Sequence, residues 1–284
     1  MGKIGIIGGS GLYEIEGLKD IEEIEINTPF GKPSDKFIKG ELGGKTLIFL
    51  PRHGKGHRIP PMDLNFRANI YAMKVLGVEK IISVSAVGSM KEEIKPGDMV
   101  IVNQFIDRTW GRISTFFSEN IVAHISFAQP VCPELSKILY NAAKKVVENV
   151  HKDATYICIN GPQFSTKAES NIYRSWNVDV IGMTNVNEAK LAREAEICYA
   201  TLALATDYDC WKEDNIVSAD EVIKVIKKNV ENAKKIIVEA VKMIDNKRNC
   251  ECQFALKNAI MTSPNLISED VKEKLKPIIG KYIK

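Results

Sequence analysis

Asp207 and Asp209 are the acidic residues whose placement best suits chemistry, because they follow a long apolar run at residues 199–206. In an extended chain, residues two positions apart point to the same side, so this spacing predicts two carboxylates that face one ligand. Such a pair suits either a metal ion or a ligand that presents amino hydrogens and exchanges a proton. The flanking Tyr208 and Trp211 make a solvated turn the weaker interpretation.

Three further stretches, each after an apolar run, carry residues that suit an anion. Residues 8–11 (GGSG) let backbone amides and a hydroxyl approach a phosphate, although Glu14 stands where the dinucleotide-binding fingerprint needs a glycine. Arg52 and His53 form the second stretch, and the hydroxyl-rich residues 85–89 (SAVGS) form the third. Alone, each stretch has an ordinary explanation without a ligand: a tight turn, a surface ion pair or a self-bonded loop. Together, at successive strand ends, they predict an anion pocket.

Apolar runs and helical spacings alternate along the chain, which predicts the α/β class with a parallel or mixed sheet. The predicted strands span 3–7, 46–50, 80–84, 99–105, 155–159, 178–183 and 199–206. The predicted helices span 65–75, 135–147, 188–196, a long segment from a capping box at 218–221 to residue 245, and the short segments 254–260 and 269–279. Ligands of such sheets gather at the carboxyl ends of strands, where the polar stretches lie.

The composition is that of an ordinary globular protein, with 284 residues, 45% of them hydrophobic and 26% charged. The formal net charge of +3 is small and its signs are interleaved, which argues against a nucleic-acid partner. The first residues show no signal-peptide pattern, and no run approaches the roughly 20 apolar residues of a bilayer-spanning helix. We therefore expect no membrane partner and a cytoplasmic location.

The six cysteines show no CxxC spacing of the zinc-binding kind, and only four histidines accompany them, so the sequence predicts no metal site. Cys250 and Cys252 form a C-x-C pair that can either close a strained disulfide or remain two free thiols. A cytoplasmic location favours free thiols. Richness in Lys, Glu and Ile is typical of thermophiles, in which intracellular disulfides do occur, although an AT-rich genome gives a similar bias.

Six runs of residues share their order and spacing with a known family: IIGGSG at 6–11, PRHGKGH at 51–57, SAVGSMKEEIKPGD at 85–98, QFIDRT at 104–109, GPQFSTKAES at 161–170 and ATDYDCWKE at 205–213. Over about the first 245 residues, the chain resembles the 5'-methylthioadenosine phosphorylases of the trimeric purine-nucleoside phosphorylase family.

This resemblance implies a single α/β domain with a twisted mixed β-sheet flanked by helices, spanning 1–246. It also implies a C-terminal helical extension, 247–284, that packs on the same domain or on a neighbouring subunit. The implied assembly is a homotrimer or a dimer of trimers, and the implied reaction uses no metal or organic cofactor. In that reaction, inorganic phosphate cleaves 5'-methylthioadenosine to adenine and 5-methylthioribose 1-phosphate.

The family's functional residues carry over by motif position. The implied phosphate-binding residues are Ser10, Arg52, His53, Ser85, Ala86 through its backbone amide, and Thr184. The implied nucleoside contacts are Met183 at the ribose, Phe164, Ser165, Asp207 and Asp209 at the base, Ala219 and Val222 at the 5' substituent, Thr184, and His124 from a neighbouring subunit. Arg52, His53 and Asp207 are the implied catalytic residues, with Asp207 as a proton donor whose pKa a dry pocket and a second carboxylate would raise.

Two features predict which nucleoside is preferred. Carboxylates accept hydrogen bonds, so Asp207 and Asp209 favour a 6-amino purine, because mismatched polarity costs about 1–3 kcal/mol per unpaired group. Ala219 and Val222 offer no hydrogen-bond donor, which favours an apolar methylthio group over a hydroxyl at the 5' position.

Departures from the family pattern keep further substrates open. Asn187 stands where proline is common and Ala219 where valine is common, whereas Ser10 and Ser85 replace threonine and keep the hydroxyl. The first two leave room for adenosine, inosine or methylthioinosine as substrates. Two further functions also stay open: a nucleoside hydrolase, with water as the nucleophile, and a non-catalytic nucleotide-binding protein.

Overall fold

One mixed β-sheet organises the part of the chain that the computed structural model describes, which is residues 2–9, 11–212, 219–245 and 247–283, with only the backbone of 219–223. Its strands are β1 Lys3–Gly8, β2 Lys19–Ile24, β3 Phe37–Leu42, β4 Lys45–Pro51, β5 Val78–Ser89, β6 Met99–Arg108, β7 Val150–Ile159, β8 Val180–Gly182 and β9 Cys198–Asp207. The α-helices in these ranges are α1 Phe66–Val75, α2 Pro133–Val146, α3 Lys167–Ser175, α4 Asn185–Glu194, α5 Ala219–Met243 and α6 Glu269–Ile279. The strand order is β2-β3-β4-β1-β5-β8-β7-β6-β9.

The sheet closes on itself at one end, because β5 also pairs with β9. The strands β5, β9, β6, β7 and β8 therefore form a ring, in which the β6–β9 and β5–β8 pairings are antiparallel and the remaining three are parallel. These strands contribute a separate apolar cluster that includes Val100, Tyr156 and Ala203. The ring gives the long strands β5 and β9 a fixed frame on which side chains can be held in place.

A break in the pairing of β5 opens the sheet at the carboxyl end of β1. The register of β1 against β5 ends with Ile7 opposite Ser83, and β8 joins β5 only at Gly88. Residues 84–87 of β5 consequently pair with β9 alone and leave a gap on their opposite side. The predicted end of this strand at residue 84 is wrong, because pairing with β9 carries the strand through Ser85 and on to Ser89.

Helices cover both faces of the sheet. Helices α1, α4 and α6 contribute to one apolar cluster, and α2 and α5 contribute to a second cluster on the opposite face. Each side of the buried strands is thereby removed from water, as the alternating strand and helix pattern predicted. In the described ranges, no helix is both long enough and apolar enough to cross a bilayer.

The segment after residue 247 packs on its own chain. Leu275 and Ile278 of α6 belong to the same apolar cluster as Ile70 of α1. The buried carboxylate of Glu196 accepts hydrogen bonds from the Tyr282 hydroxyl at 2.6 Å and from the Leu256 amide at 3.0 Å. These contacts join the C-terminal segment to the turn between α4 and β9.

Several elements differ from the sequence-based expectations. Strands β2 and β3 and helix α3 were not predicted, and the predicted helix at 254–260 is replaced by the 3-10 turn Glu251–Phe254 and further turns. Helix α3 does carry a start signal, since Thr166 and Glu169 form a complete capping box. The capping box predicted at 218–221 falls on residues outside the described side chains.

Candidate active site

A cavity of about 750 Å³ lies at the gap beside β5 and brings the predicted polar stretches together. Its wall includes Gly9, Arg52 and His53 after β1 and β4, Ser85 and Ala86 on β5, Phe164 and Ser165 before α3, Met183 and Thr184 after β8, and Asp207 and Asp209 at the end of β9. This volume is within the usual range for small-molecule sites. Ser10 lies outside the described residues, and so do the side chains of Ala219 and Val222.

The backbone of Ala86 faces the gap and can donate to an anion there. The carbonyl oxygen of Val84 accepts a hydrogen bond from Arg52 Nη1 at 2.9 Å, so the backbone groups of Val84 point away from β9. Because these groups alternate in direction along a strand, the amide of Ala86, two residues later, points to the same side. Ser85 and Thr184 line the same space, and their hydroxyls donate to the Ala86 carbonyl oxygen at 3.3 Å and to Asn185 Oδ1 at 3.1 Å. Because a hydroxyl can rotate, each can instead donate to an anion that binds beside the Ala86 amide.

The guanidinium of Arg52 is buried and is largely committed to protein partners. It donates from Nε to Glu188 Oε1 at 2.5 Å, from Nη2 to Glu188 Oε2 at 3.2 Å and to Ser83 Oγ at 2.6 Å. With the bond to Val84, four of its five hydrogens are engaged. One Nη1 hydrogen remains for an anion, so in this arrangement Arg52 offers a phosphate a single hydrogen bond rather than two parallel ones.

A buried polar network supports this ion pair from behind. The carboxylate of Glu188, on α4, also accepts from Ser83 Oγ at 2.8 Å and from Tyr199 Oη at 2.9 Å. The amide of Asn185 donates to Ser83, Tyr199 and Thr201 at 3.0–3.1 Å. Sequence reasoning missed this network, because Glu188 stands between Asn187 and Ala189 in a helix of mixed composition, where nothing in the local sequence marks a buried charge.

His53 is a neutral imidazole with one free acceptor nitrogen. Its Nδ1 lies 2.8 Å from the carbonyl oxygen of Ile59, and a carbonyl can only accept, so Nδ1 carries the proton. Burial and the positive charge of Arg52 lower the pKa of His53 to about 4. The ring also stacks on His57, with centroids 4.3 Å apart. Its bare Nε2 can therefore accept a hydrogen bond from a protonated phosphate oxygen at neutral pH.

Asp207 and Asp209 both line the cavity, but not in the geometry that the sequence predicted. Asp207 ends β9, whereas Asp209 begins a 3-10 turn with φ of 39°, so the extended i, i+2 arrangement is wrong. The Asp209 amide donates to Asp207 Oδ1 at 2.9 Å. Ser170, from α3, and Ser165 donate to Asp209 at 2.6 and 3.1 Å, which fixes that carboxylate as an acceptor.

The pKa of Asp207 is raised, so this carboxylate takes up a proton more readily than an aspartate in water. Burial raises its pKa above the ordinary value, and the charge of Asp209 acts in the same direction. The Thr206 hydroxyl donates to Asp207 Oδ2 at 2.6 Å and opposes this shift without cancelling it. In the described chain its neighbours supply a hydroxyl, an amide and a second carboxylate, but no cation. Asp207 can thus hold a proton and deliver it inside the cavity.

The wall between these two ends is held by Arg112. Its guanidinium donates to the carbonyl oxygens of Met183 at 2.6 Å and Asn160 at 2.5 Å, and to Asn187 Oδ1 at 2.9 Å. Asn187, which stands where proline is common in the family, thus helps to position Met183. Asn187 is buried and does not line the cavity. It therefore makes no direct contact through which it could broaden the substrate specificity, as we had expected from its departure from the family pattern.

Helix α5 adds two apolar side chains to the cavity, whereas two of the predicted contacts, His124 and Phe164, are exposed on this chain. Helix α5 contributes Ile226 and Val230, which the prediction missed although they continue the apolar stripe that begins at Val222. His124 is exposed and lies outside the cavity of its own chain, and its backbone amide donates to the carbonyl oxygen of Ala259. Phe164 borders the cavity but remains 84% exposed.

Sequence comparisons assign this architecture to a known group. Residues 3–242 match the model of the phosphorylase superfamily. The S-methyl-5'-thioadenosine phosphorylase of Geobacter sulfurreducens is 60% identical over 282 residues and matches 99% of both chains. The corresponding protein of Koribacter versatilis is 56% identical, over 99% of this chain and 96% of its own.

Solved structures agree with these sequence matches. A methylthioadenosine phosphorylase sourced from an antarctic soil metagenomic library superposes with a TM-score of 0.94 at 50% identity, covering 98% of both chains. The methylthioadenosine phosphorylase of Schistosoma mansoni in complex with tubercidin gives a TM-score of 0.83 at 39% identity, covering 90% of this chain and 96% of its own. The expected single α/β domain with a mixed sheet is thereby confirmed.

Proposed function

The chain belongs to the phosphorylase superfamily, and from that premise we propose that it cleaves 5'-methylthioadenosine with inorganic phosphate. The products are adenine and 5-methylthioribose 1-phosphate, so the protein is a pentosyltransferase of purine and methionine salvage. The observation that carries this proposal is the single cavity that joins the donor-rich end at Ser85 and Ala86 to the carboxylate end at Asp207. Its relatives in Geobacter sulfurreducens and Koribacter versatilis bear the name of this activity.

The two ends of the cavity match the charges that develop as the glycosidic bond breaks. The bonding pair leaves with the purine nitrogen, so the ribose becomes cationic and the base anionic. Phosphate, held by Ser85, the Ala86 amide and Thr184, stabilises the cation and forms the new bond from its oxygen to C1'. Asp207 transfers its proton to N7 of the leaving base. Phosphate is the nucleophile and Asp207 the acid, so this reaction needs no metal or organic cofactor.

The polar ends also select the substrate. Asp209 is held as an acceptor by two serine hydroxyls, so with Asp207 it suits the 6-amino group of adenine better than a 6-oxo group. The apolar side chains Ile226 and Val230 of α5 border the cavity and suit a methylthio substituent better than a hydroxyl. Both preferences point to 5'-methylthioadenosine over inosine and adenosine.

We also propose that the protein is a homotrimer, either alone or as a dimer of trimers, and that it acts in the cytoplasm. Trp110 and Phe164 are 75% and 84% exposed, and the segment that bears Trp110 is tied to Asn160 beside the cavity. Exposed apolar side chains at the rim of a site are typical of an interface. In this arrangement His124 of one subunit completes the cavity of the next. Light scattering of the purified chain measures the oligomeric state.

One assay tests the activity. Adenine release from 5'-methylthioadenosine should rise and saturate with phosphate concentration, and the sugar should appear as its 1-phosphate. A hydrolase would release free methylthioribose without phosphate, and a binding protein would release nothing. Rates with adenosine, inosine and methylthioinosine in the same assay should be lower; a higher kcat/KM for any of them would overturn the proposed substrate.

A further inference from the structure

Four of the six cysteines meet in one buried cluster, far apart in sequence. Their sulfur atoms all lie within 4.8 Å of one another, and all four residues are buried: Cys132, Cys198, Cys250 and Cys252. Cys132 precedes α2, Cys198 begins β9, and the last two flank the start of the 3-10 turn in the C-terminal segment. Spacing along the chain could not reveal this set, because its members come from three separate segments.

From this geometry we infer that the four thiolates bind one Zn²⁺ ion, which fastens the C-terminal segment to the core. A tetrahedral zinc site has Zn–S bonds of about 2.3 Å, which places its sulfurs about 3.8 Å apart. The cluster already satisfies this spacing, since Cys198 and Cys250 have sulfurs 3.3 Å apart and no pair exceeds 4.8 Å. A divalent ion with a preference for sulfur fits this donor set, and binding releases the thiol protons to solvent.

Mutual proximity distinguishes a metal site from two disulfides. Two disulfides need only two short sulfur distances of about 2.05 Å, and the pairs can lie apart. Here each sulfur is close to all three of its neighbours, which is the requirement of a single central ligand.

The surroundings suit the net negative charge of a zinc tetrathiolate. Cys132 is the N-cap of α2, a helix of 14 residues, so its sulfur lies at the positive end of the helix dipole. The Cys252 amide donates to the Cys250 sulfur, and the positive charge of Arg193 acts on Cys252. Arg193 itself donates to the carbonyl oxygen of Gln129 at 2.6 Å, in the loop before Cys132. Donors and a cation therefore surround the cluster, as in structural zinc sites.

The test is the zinc content of the full chain, expressed with zinc and a reductant and then dialysed against a mild chelator. We expect about one zinc per chain by mass spectrometry of the metal. Replacement by Co²⁺ should give the visible absorption of a tetrahedral tetrathiolate. This optical measurement on the unmutated chain decides the coordination even if the cysteine variants fail to fold.

Two matched double variants locate the ion. Cys250→Ser with Cys252→Ser should lose the bound zinc and lower the melting temperature. Cys158→Ser with Cys210→Ser removes the same number of thiols outside the cluster and should keep the zinc. A chain without zinc would overturn the inference. Counting free thiols after denaturation without reductant would then identify the alternative: six free thiols indicate an empty cluster, and two indicate that the cluster forms two disulfides. Zinc retained by the first variant would also overturn it.

Discussion

Two buried carboxylates, Glu188 and Asp207, differ in what the fold places beside them. Glu188 receives four hydrogen bonds, two of them from the guanidinium of Arg52. Asp207 receives one hydroxyl and one amide, next to a second carboxylate. The paired carboxylate stabilises the wall of the cavity, whereas the one without a cation is kept ready to carry a proton. A buried charge becomes available for chemistry where the fold leaves it without a counter-ion.

Changing the carboxylate without a cation should affect turnover most. Asp207→Asn removes the proton donor but keeps the size of the side chain, and we expect kcat to fall by about 100- to 10,000-fold. The KM for phosphate should change little, because phosphate binds at the opposite end of the cavity. Steady-state kinetics with both substrates varied measure the two effects. Unchanged kcat would contradict the role of Asp207 as the acid.

The same variant should gain stability. The pKa of Asp207 is raised in the fold above its unfolded value, so the ionised form is disfavoured at neutral pH and its replacement by a neutral amide removes that cost. Urea unfolding should show the gain at pH 7 and a smaller gain as the pH falls through the raised pKa, because the wild-type carboxyl then becomes protonated. A loss of stability at pH 7 would contradict the claim that Asp207, unlike Glu188, is a buried carboxylate without a stabilising counter-ion.

Changing the paired carboxylate should do the opposite. Glu188→Gln leaves the guanidinium of Arg52 buried without its counter-ion, and the free energy of unfolding should fall by about 3–5 kcal/mol. Urea unfolding measures this, with Glu269→Gln as the control. Glu269 pairs with Lys272 at 2.7 Å but is 87% exposed, so its loss should change stability by less than about 0.5 kcal/mol. Equal losses of unfolding free energy in both variants would show that the buried ion pair contributes no more to stability than the exposed one.

Asp209 should set the choice of base. Asp209→Asn can accept from Ser170 and present its amide group to a 6-oxo purine. The ratio of kcat/KM for methylthioadenosine to that for methylthioinosine should fall by roughly tenfold or more, corresponding to about 1–3 kcal/mol. An unchanged ratio would remove Asp209 from base selection.

The smallest expected effect is a shift in pH dependence. The Thr206 hydroxyl stabilises the ionised form of Asp207, so Thr206→Val should raise the pKa of that carboxyl further. Activity that needs the protonated acid declines as the pH rises through this pKa, and the decline should move to higher pH in the variant. A pH–rate profile of kcat checks this; a move to lower pH would contradict it.

Many residues that line the cavity could be predicted from the sequence, but the buried ion pair behind them could not. Asp207, His53 and Ser85 could be predicted because they follow or belong to apolar strands with a recognisable order. The pairing of Arg52 with Glu188 could not, because the partners are 136 positions apart and meet only when α4 packs on the sheet. The position of Asp209 was mistaken because an extended chain was assumed where a left-handed residue turns the backbone.

The most direct measurement is a crystal structure with phosphate and the 7-deaza analogue of methylthioadenosine, which lacks the N7 lone pair that accepts the proton. We expect phosphate against Ser85, the Ala86 amide and Thr184, and the 6-amino group within about 3 Å of a carboxylate oxygen of Asp207 or Asp209. A base bound beside Arg52, or a phosphate bound beside the aspartates, would contradict the assignment of the two ends.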